Sequence, residues 1–211
     1  MSQLSCDFRV VGPVQTNCYF LYDEESMDGI IVDPGDEAGR LIEYIEKKGI
    51  KLQAILLTHG HFDHISAVSG LKEKFPVPVY ASKAEKEVLL NPRVNLSVQM
   101  GDKVDIDADH YLEDGETITL LGEEVRCILT PGHTVGGMCF YFPKAGILFS
   151  GDTLFQESVG RTDFPGGSMS ELIRSVREKL FKLPPVTKVY PGHGMMTSIE
   201  HEKMFNPFAV E

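Results

Sequence analysis

The 211-residue chain lacks the features that mark a membrane or secreted protein. No apolar run approaches the roughly 20 residues that a membrane-spanning helix needs. The amino terminus shows no basic segment followed by an apolar stretch, so we expect no signal peptide. The four cysteines form no C-x-x-C pair and no dense framework, which favours reduced and mostly buried thiols. These absences predict a cytoplasmic protein without a membrane partner.

Positive charge is also scarce. The chain carries 20 Lys and Arg against 31 Asp and Glu, a formal net charge of −11 at pH 7. This balance offers no basic face for nucleic acid, so we expect no nucleic-acid partner. An anionic substrate would be repelled at long range, and its attraction would have to come from bound cations or a few basic side chains.

One stretch is rich in metal ligands. An apolar run that begins at Ala54 is followed, within six positions, by His59, His61, Asp63 and His64. In extended backbone, residues two apart point the same way, so His59 and His61 would share one face. Asp63 and His64 then diverge and would serve a second ion. Neutral imidazole and carboxylate are ligands that zinc, iron and manganese accept.

Three further apolar runs end in one polar residue each, and these residues are His133, Asp152 and His193. Each run is short, β-branched or aromatic, and broken by Gly or Pro before the polar residue. That pattern is typical of a buried strand whose end presents one side chain. Strand ends at one rim of a core would bring all of these ligands to one site.

Apolar spacing predicts the elements around the ligands. Residues 63–75 have helical spacing, which places the motif where a strand meets a helix. Ser168 and Glu171 form a capping box that predicts the start of a helix. Residues 153–167 are punctuated by Gly and Pro and are expected to form a loop. Asp33, which follows another apolar run, is interpreted as a turn residue.

Each ligand also has a plainer structural interpretation. Asp63 could cap its helix, and Asp152 could be a turn residue after a glycine. His133 and His193 could be loop histidines with satisfied hydrogen bonds. A metal centre would be excluded only if all four of these structural interpretations were correct at once, so a metal centre is favoured.

The motif His-x-His-x-Asp-His at 59–64, followed by a lone His, a lone Asp and a last His, resembles the metallo-β-lactamase superfamily. The similarity extends from Leu56 to His193. Segment 151–167 and the sequence Tyr-Pro-Gly-His-Gly at 190–194 narrow the resemblance to one group within the superfamily, the short glyoxalase II-like hydrolases. The resemblance implies an α/β fold of four layers, the αββα sandwich, in which helices flank two mixed β-sheets.

The resemblance also implies two divalent metal ions, zinc in the first place and iron or manganese as alternatives. The first ion would be held by His59, His61 and His133, the second by Asp63, His64 and His193, with Asp152 bridging both. Two ions that share a water lower its pKa and would supply a bridging hydroxide as the nucleophile. Asp63 would then carry a proton to the leaving group. By the same resemblance, Asp33 would support a ligand histidine.

Arg161 is the candidate substrate-binding residue. It lies where glyoxalase II-like proteins carry a basic residue that contacts glutathione, and a guanidinium suits a carboxylate through forked hydrogen bonds. The alternative is a surface arginine paired with Asp163. Full-length glyoxalase II has a C-terminal helical domain that completes the glutathione pocket, whereas residues 1–211 are expected to form a single metallo-β-lactamase-fold domain without it.

The predicted function is metal-dependent hydrolysis of a small thioester such as S-lactoylglutathione, because a thiolate leaves with little proton help. The first alternative is a persulfide dioxygenase with one iron on His59, His133 and Asp152, a class that the segment Gly-Arg-Thr-Asp-Phe at 160–164 also resembles. Lactonase or other ester hydrolysis on the same fold is a further alternative. A non-catalytic metal-binding module is disfavoured because the ligand set is complete.

Overall fold

The computed structural model describes residues 3–209, which form two six-stranded β-sheets with helices on their outer faces. The strands are β1 (Leu4–Val11), β2 (Thr16–Asp23), β3 (Asp28–Val32), β4 (Lys51–Leu56), β5 (Val79–Ser82), β6 (His110–Leu112), β7 (Thr117–Leu120), β8 (Glu123–Leu129), β9 (Met138–Phe142), β10 (Ile147–Gly151), β11 (Leu154–Phe155), β12 (Ser158–Val159), β13 (Lys188–Pro191) and β14 (Thr197–Ser198). The α-helices are α1 (Ala38–Lys48), α2 (Phe62–Ile65), α3 (Val68–Lys74), α4 (Lys86–Leu90), α5 (Met169–Glu178) and α6 (Ile199–Phe205). Short 3-10 helices span Lys83–Glu85, Ser97–Met100 and Leu180–Lys182.

Both sheets are mixed. The first has the order β1-β2-β3-β4-β5-β6, antiparallel as far as β3 and parallel from there on. The second has the order β14-β13-β10-β9-β8-β7 and is antiparallel except for the parallel pair of β10 and β13. Parallel neighbours end at the same edge of a sheet. The residues that follow β3 and β4, and those that follow β10 and β13, are therefore brought side by side.

Three apolar clusters account for the layers. Alternate residues of a strand face opposite sides of its sheet, so Tyr19 of β2 faces the second sheet while Phe20 faces the helices. Between the sheets, Tyr19 packs with aromatic side chains of β9, β10 and β13, which are Phe140, Phe149 and Tyr190. On the outer faces, α1 and α3 cover the first sheet and α5 covers the second. The predicted αββα sandwich is confirmed.

The helix predicted over 63–75 is divided in two. After α2, the Ala67 N–H leaves the helical pattern and donates to the carbonyl of Pro34 at 3.0 Å. This bond ties the helix to the turn that follows β3, and α3 begins one residue later. A contact 33 positions back in the chain thus overrides a regular apolar spacing.

Other local expectations agree with the structure or are extended by it. The Ser168 hydroxyl accepts a hydrogen bond from the Glu171 N–H, so the predicted helix start is confirmed in α5. The predicted loop 153–167 contains the short hairpin of β11 and β12. Within residues 3–209 the cysteines are free thiols, mostly buried, as expected. In the same range, no helix combines the length and apolar character needed to cross a membrane.

Candidate active site

The seven predicted ligands come together beyond the carboxyl ends of four strands. His59 and His61 follow β4, and Asp63 and His64 lie in the short helix α2 that comes next. The loops after β8, β10 and β13 add the remaining three side chains, His133, Asp152 and His193. Their nitrogen and oxygen atoms form three overlapping clusters in which all ligand atoms lie within 4.8 Å of one another. The clusters are His59, His61 and His133; His59, His64 and Asp152; and Asp63, His64 and His193.

The first cluster, here called the three-histidine group, consists of His59, His61 and His133 and is buried. Nδ1 of His61 lies 2.9 Å from Nε2 of His133. The rings are nearly perpendicular, with centroids 4.7 to 4.9 Å apart. Two ring nitrogens this close either share one proton or both face one cation. The group therefore has the spacing of a metal-binding set.

The other end of the site, here called the carboxylate group, consists of Asp63, His64 and His193. Nε2 of His193 lies 3.2 Å and Nε2 of His64 lies 3.4 Å from Oδ2 of Asp63. This end is more open, because the His193 side chain is 27% exposed whereas the His133 side chain of the three-histidine group is 5% exposed. The group pairs a carboxylate with two imidazoles at the edge of solvent.

Asp152 lies between the two groups. Its Oδ1 is 3.5 Å from Nε2 of His64, and its Oδ2 is 3.5 Å from Nε2 of both His133 and His193. A glycine is needed beside it, since a Cβ on Gly192 would lie 2.2 Å from Asp152 Oδ1. The two carboxylate oxygens of Asp152 thus face both groups.

Three of the imidazoles are oriented by a hydrogen bond on one nitrogen. His133 Nδ1–H donates to the main-chain carbonyl of Arg161 at 2.7 Å, and His64 Nδ1–H donates to Asp33 Oδ2 at 2.9 Å. His59 Nδ1 lies 3.2 Å from the Thr58 hydroxyl oxygen. In each ring the opposite nitrogen, Nε2, is left to act as a ligand. Fixing one nitrogen in this way selects the tautomer that binds metal.

Asp33 fulfils both of its sequence interpretations. It occupies a turn after β3 with a left-handed φ of 50°. Its carboxylate also accepts hydrogen bonds from the Thr58 N–H at 2.8 Å and the Thr58 O–H at 2.6 Å, in addition to the bond from His64. Because β3 and β4 are parallel neighbours, the turn after one strand supports the ligand segment after the other.

The electrostatic environments of the two groups differ in sign. Burial and the neighbouring histidines lower the pKa of His59 well below its ordinary value, and they lower the pKa of His61 to about 3. Burial opposes protonation of His64 and His193 as well, but the nearby carboxylates outweigh it and raise the pKa of both. The same histidines hold the pKa of Asp63 well below its usual range despite its burial. Burial and mutual repulsion therefore favour the neutral forms of His59 and His61, whereas the carboxylate group is a charged network.

The chain alone leaves polar atoms of this site unsatisfied. Among the described residues, the buried side-chain atoms without a hydrogen-bond partner include His59 Nε2, His64 Nε2 and Asp152 Oδ1. Buried polar atoms without partners are rare, and three at one point are explained by ions that they would coordinate. Imidazole nitrogen and carboxylate oxygen suit zinc or iron. The residues present fit the implied metal ions.

A cavity of about 410 Å³ opens onto the ligands. Its remaining walls are mainly apolar, with Val14, Phe62, Leu96, Phe155 and Phe164, and its polar lining consists of Asp63, His61, His133, Asp152, Ser158 and His193. Arg161 also lines it and packs over Phe164, with the guanidinium carbon 4.1 Å from the ring centroid. Its Nε and Nη2 each bind a carboxylate oxygen of Asp163 at 2.6 Å. The two sequence interpretations of Arg161 are therefore compatible, since it is ion-paired and also borders the cavity.

Two supporting residues were missed by the sequence reasoning. The Thr16 hydroxyl donates to Asp63 Oδ2 at 2.8 Å. Glu85 is buried and accepts hydrogen bonds from the loops that carry His61 and His133. Both contacts join segments far apart in the chain, and no local pattern marks either residue.

Comparison with known sequences identifies the family of this chain. The model of the metallo-beta-lactamase superfamily matches residues 11–193. A probable metallo-hydrolase, YqgX of Bacillus subtilis, is 40% identical over 200 residues, which cover 94% of each chain. The hydroxyacylglutathione hydrolase GloC of Haemophilus influenzae is 40% identical over 198 residues, which cover 92% of each chain.

Solved structures agree. The B3 metallo-beta-lactamase BLEG-1 superimposes with a TM-score of 0.93 at 38% identity, covering 98% of this chain and 100% of its own. A protein crystallised in a di-iron-bound form, TTHA1623, gives 0.84 at 36% identity, covering 96% and 99%. With the site geometry, these matches confirm the resemblance, and the chain belongs to the metallo-β-lactamase superfamily of metallo-hydrolases.

Proposed function

We propose that this protein is a dinuclear metal-dependent hydrolase of thioesters, similar to glyoxalase II, with His59, His61, Asp63, His64, His133, Asp152 and His193 as its metal ligands. One observation carries the proposal. Asp152 has one oxygen 3.5 Å from His64 and the other 3.5 Å from both His133 and His193. A carboxylate with that reach can join two ions, and a single-ion site would leave half of the ligands without a role.

The residues have separate tasks in this chemistry. Two divalent ions bound here would activate a water and polarise the substrate carbonyl. Asp152 holds the two ligand groups in register by facing both. Asp63 is fixed at the edge of the cavity by the Thr16 hydroxyl and His193, where it can exchange a proton with a bound group. A thiolate leaving group needs little protonation, which suits a site with one such carrier.

The cavity supports the proposed substrate class. Its apolar walls suit the carbon chain of a small acyl thioester, and Arg161 is the cation that we propose for a substrate carboxylate. The relative named as a hydroxyacylglutathione hydrolase supports a glutathione thioester such as S-lactoylglutathione. Asp163 occupies one edge of the Arg161 guanidinium, so a substrate carboxylate would compete with it.

The metal and the location are part of the same proposal. The donor set supports zinc, and the neighbour crystallised in a di-iron-bound form supports iron. Buried free thiols and the formal net charge of −11 support a cytoplasmic enzyme that acts on a small molecule rather than on nucleic acid or at a membrane.

The deciding experiment combines metal analysis with a substrate panel. Purified protein should contain two metal equivalents per chain and release free thiol from S-lactoylglutathione and other acyl thioesters. A β-lactam and a lactone test the other hydrolase activities, and persulfide-dependent oxygen uptake tests the dioxygenase. The proposal would be overturned by a dimetal preparation that is inactive on every thioester, or by one that consumes oxygen with a persulfide.

A further inference from the structure

Glu85 is a buried acid that plays no part in the chemistry proposed above. It ends the 3-10 turn Lys83–Glu85, directly before α4, and is 1% exposed. Burial raises the pKa of its carboxyl to about 7, although three hydrogen bonds oppose the shift. Burying an acid costs free energy unless its polar atoms find partners. The partners of Glu85 indicate what role it has.

The contacts of Glu85 reach two loops at once. Oε1 accepts the Gly60 N–H at 2.9 Å, and Oε2 accepts the Gly136 N–H at 2.8 Å and the Thr134 O–H at 3.0 Å. Gly60 lies between His59 and His61, and Thr134 directly follows His133. One carboxylate therefore ties together both segments of the three-histidine group.

The loop that carries Gly136 is packed tightly against Glu85. A Cβ on Gly136 would lie 2.3 Å from the Glu85 amide nitrogen and 2.6 Å from its Oε2. The loop after β8 thus rests directly on the turn that carries Glu85. The distance between His61 and His133, 2.9 Å between ring nitrogens, is set by segments that Glu85 holds from behind.

The charge of Glu85 also matches this position. The three-histidine group contains no carboxylate, and Asp152 lies beside it as the nearest acid that could compensate a divalent cation. Once ionised, the Glu85 carboxylate adds a negative charge one hydrogen bond away from the two ligand loops, in a region of low dielectric. Through its hydrogen bonds to main-chain N–H groups, Glu85 acts on the ligand loops without coordinating the ion itself.

We propose that Glu85 is a positioning residue that joins the two segments of the three-histidine group and so sets the metal affinity of that group. The proposal rests on the metal-binding part of the proposed function. It does not depend on the substrate, because Glu85 does not line the cavity that borders the ligands.

The test compares two equally buried carboxylates. Glu85→Gln keeps the shape but presents an amide N–H₂ towards groups that also donate. Glu202→Gln is the matched control, because Glu202 is 0% exposed and accepts the Glu157 N–H at 2.9 Å and an Asn206 side-chain N–H at 2.8 Å. The Thr197 hydroxyl also donates to Glu202 at 2.5 Å, and none of these three partners is a candidate ligand or directly adjacent to one in the chain. The readouts are the two stepwise Zn²⁺ dissociation constants, from competition with a chromophoric chelator, and the unfolding midpoint of the metal-free proteins.

We expect Glu85→Gln to weaken one of the two zinc equivalents by about 10- to 100-fold, the usual effect of losing a group that orients a ligand. Glu202→Gln should lower the unfolding midpoint and leave both zinc constants within about twofold of wild type. The proposal is overturned if Glu85→Gln binds both equivalents as tightly as wild type. It is overturned equally if both variants weaken both equivalents alike, which would indicate a purely structural role.

A milder variant covers the case in which Glu85→Gln does not fold. Thr134→Val removes one of the three donors and should weaken the same zinc equivalent by a smaller factor, and unchanged zinc constants would overturn the proposal. Wild-type protein separates the two levels of inference. If it binds no zinc, the proposed function fails, whereas two tight equivalents in wild type and in Glu85→Gln alike remove only the role of Glu85.

Discussion

The two ligand groups of this site differ in burial, charge and support. The three-histidine group is buried, with the pKa values of His59 and His61 lowered, and its segments are linked by Glu85. The carboxylate group is partly open to the cavity and charged, and Asp33 contacts its member His64 directly. From this difference we expect a division of labour between the two groups. The buried set should hold a metal ion tightly, while the open charged set should be able to change its contacts as substrate and product exchange.

Replacing the residue shared by both groups should have the largest effect. Asp152→Asn removes the charge that faces His64, His133 and His193. Since losing a group that merely orients a ligand costs about 10- to 100-fold, we expect turnover of a thioester to fall by more than about a hundredfold. Metal content per chain should fall as well. Wild-type turnover with full metal content would show that the two groups do not share a bridging carboxylate.

The support of the buried group should respond to pH. The pKa of Glu85 is raised from 4.5 to about 7 in the folded chain, so ionisation opposes folding. The stability that its protonated form contributes is present below pH 4.5 and is lost as pH rises through about 7. Glu85→Gln cannot ionise. The unfolding free energy of metal-free wild type, relative to that of Glu85→Gln, should therefore fall by roughly 3 kcal/mol between pH 4.5 and 8.

Chemical denaturation of both proteins in the presence of a chelator measures this difference. The other titrating groups are common to the two proteins and cancel in the comparison. Parallel pH profiles would mean that Glu85 stays ionised throughout, fully compensated by its three hydrogen bonds.

Asp33 contacts His64 directly but reaches His59 only through Thr58, so its support of the open group should be separable from the support that Glu85 gives to the buried group. In Asp33→Asn, the side-chain amide can present N–H₂ to His64 Nδ1 and shift the ring proton to Nε2, the nitrogen that faces Asp63 and Asp152. We expect one zinc equivalent to weaken by about 10- to 100-fold. The weakened equivalent should be the one that Glu85→Gln leaves unchanged. The double variant of Asp33→Asn and Glu85→Gln tests this, because it should weaken both equivalents. Loss of the same equivalent in both single variants would contradict the division into two groups.

The smallest effect concerns the open side of the cavity. Asp163→Asn frees the edge of Arg161 that Asp163 now occupies. Because an exposed ion pair is weak, we expect KM for a carboxylate-bearing thioester to fall only modestly, roughly two- to fivefold. A neutral amide analogue should be unaffected. Glu113→Gln, which breaks the equally exposed pair with Lys83, is the control, and an equal change there would point to net charge alone.

The fold and the convergence of the candidate ligands could be predicted because their signals are local. A His-x-His-x-Asp-His motif and three short runs ending in His or Asp carry their meaning within a few residues, and the structure brings all seven side chains together. The αββα layers followed from the family that those motifs indicate. The assignment of residues 1–211 to a single domain stays a prediction.

The supporting residues could not be predicted in the same way. Thr16 and Glu85 act through contacts 25 to 51 positions away, between elements that only the folded sheets bring together. The break between α2 and α3 likewise depends on a hydrogen bond to Pro34 that no periodicity encodes. For Asp33, the residues alone indicated a turn, and only the family resemblance suggested support for a histidine.

The contact of Arg161 with His133 bears on how such an enzyme can diversify. His133 is held by the carbonyl of Arg161, an atom that every amino acid provides, while the guanidinium of the same residue borders the cavity. Evolution can therefore exchange the side chain at this position and test new substrates while the histidine keeps its alignment. Insertions or deletions in this loop have no such freedom, because they would displace the carbonyl itself.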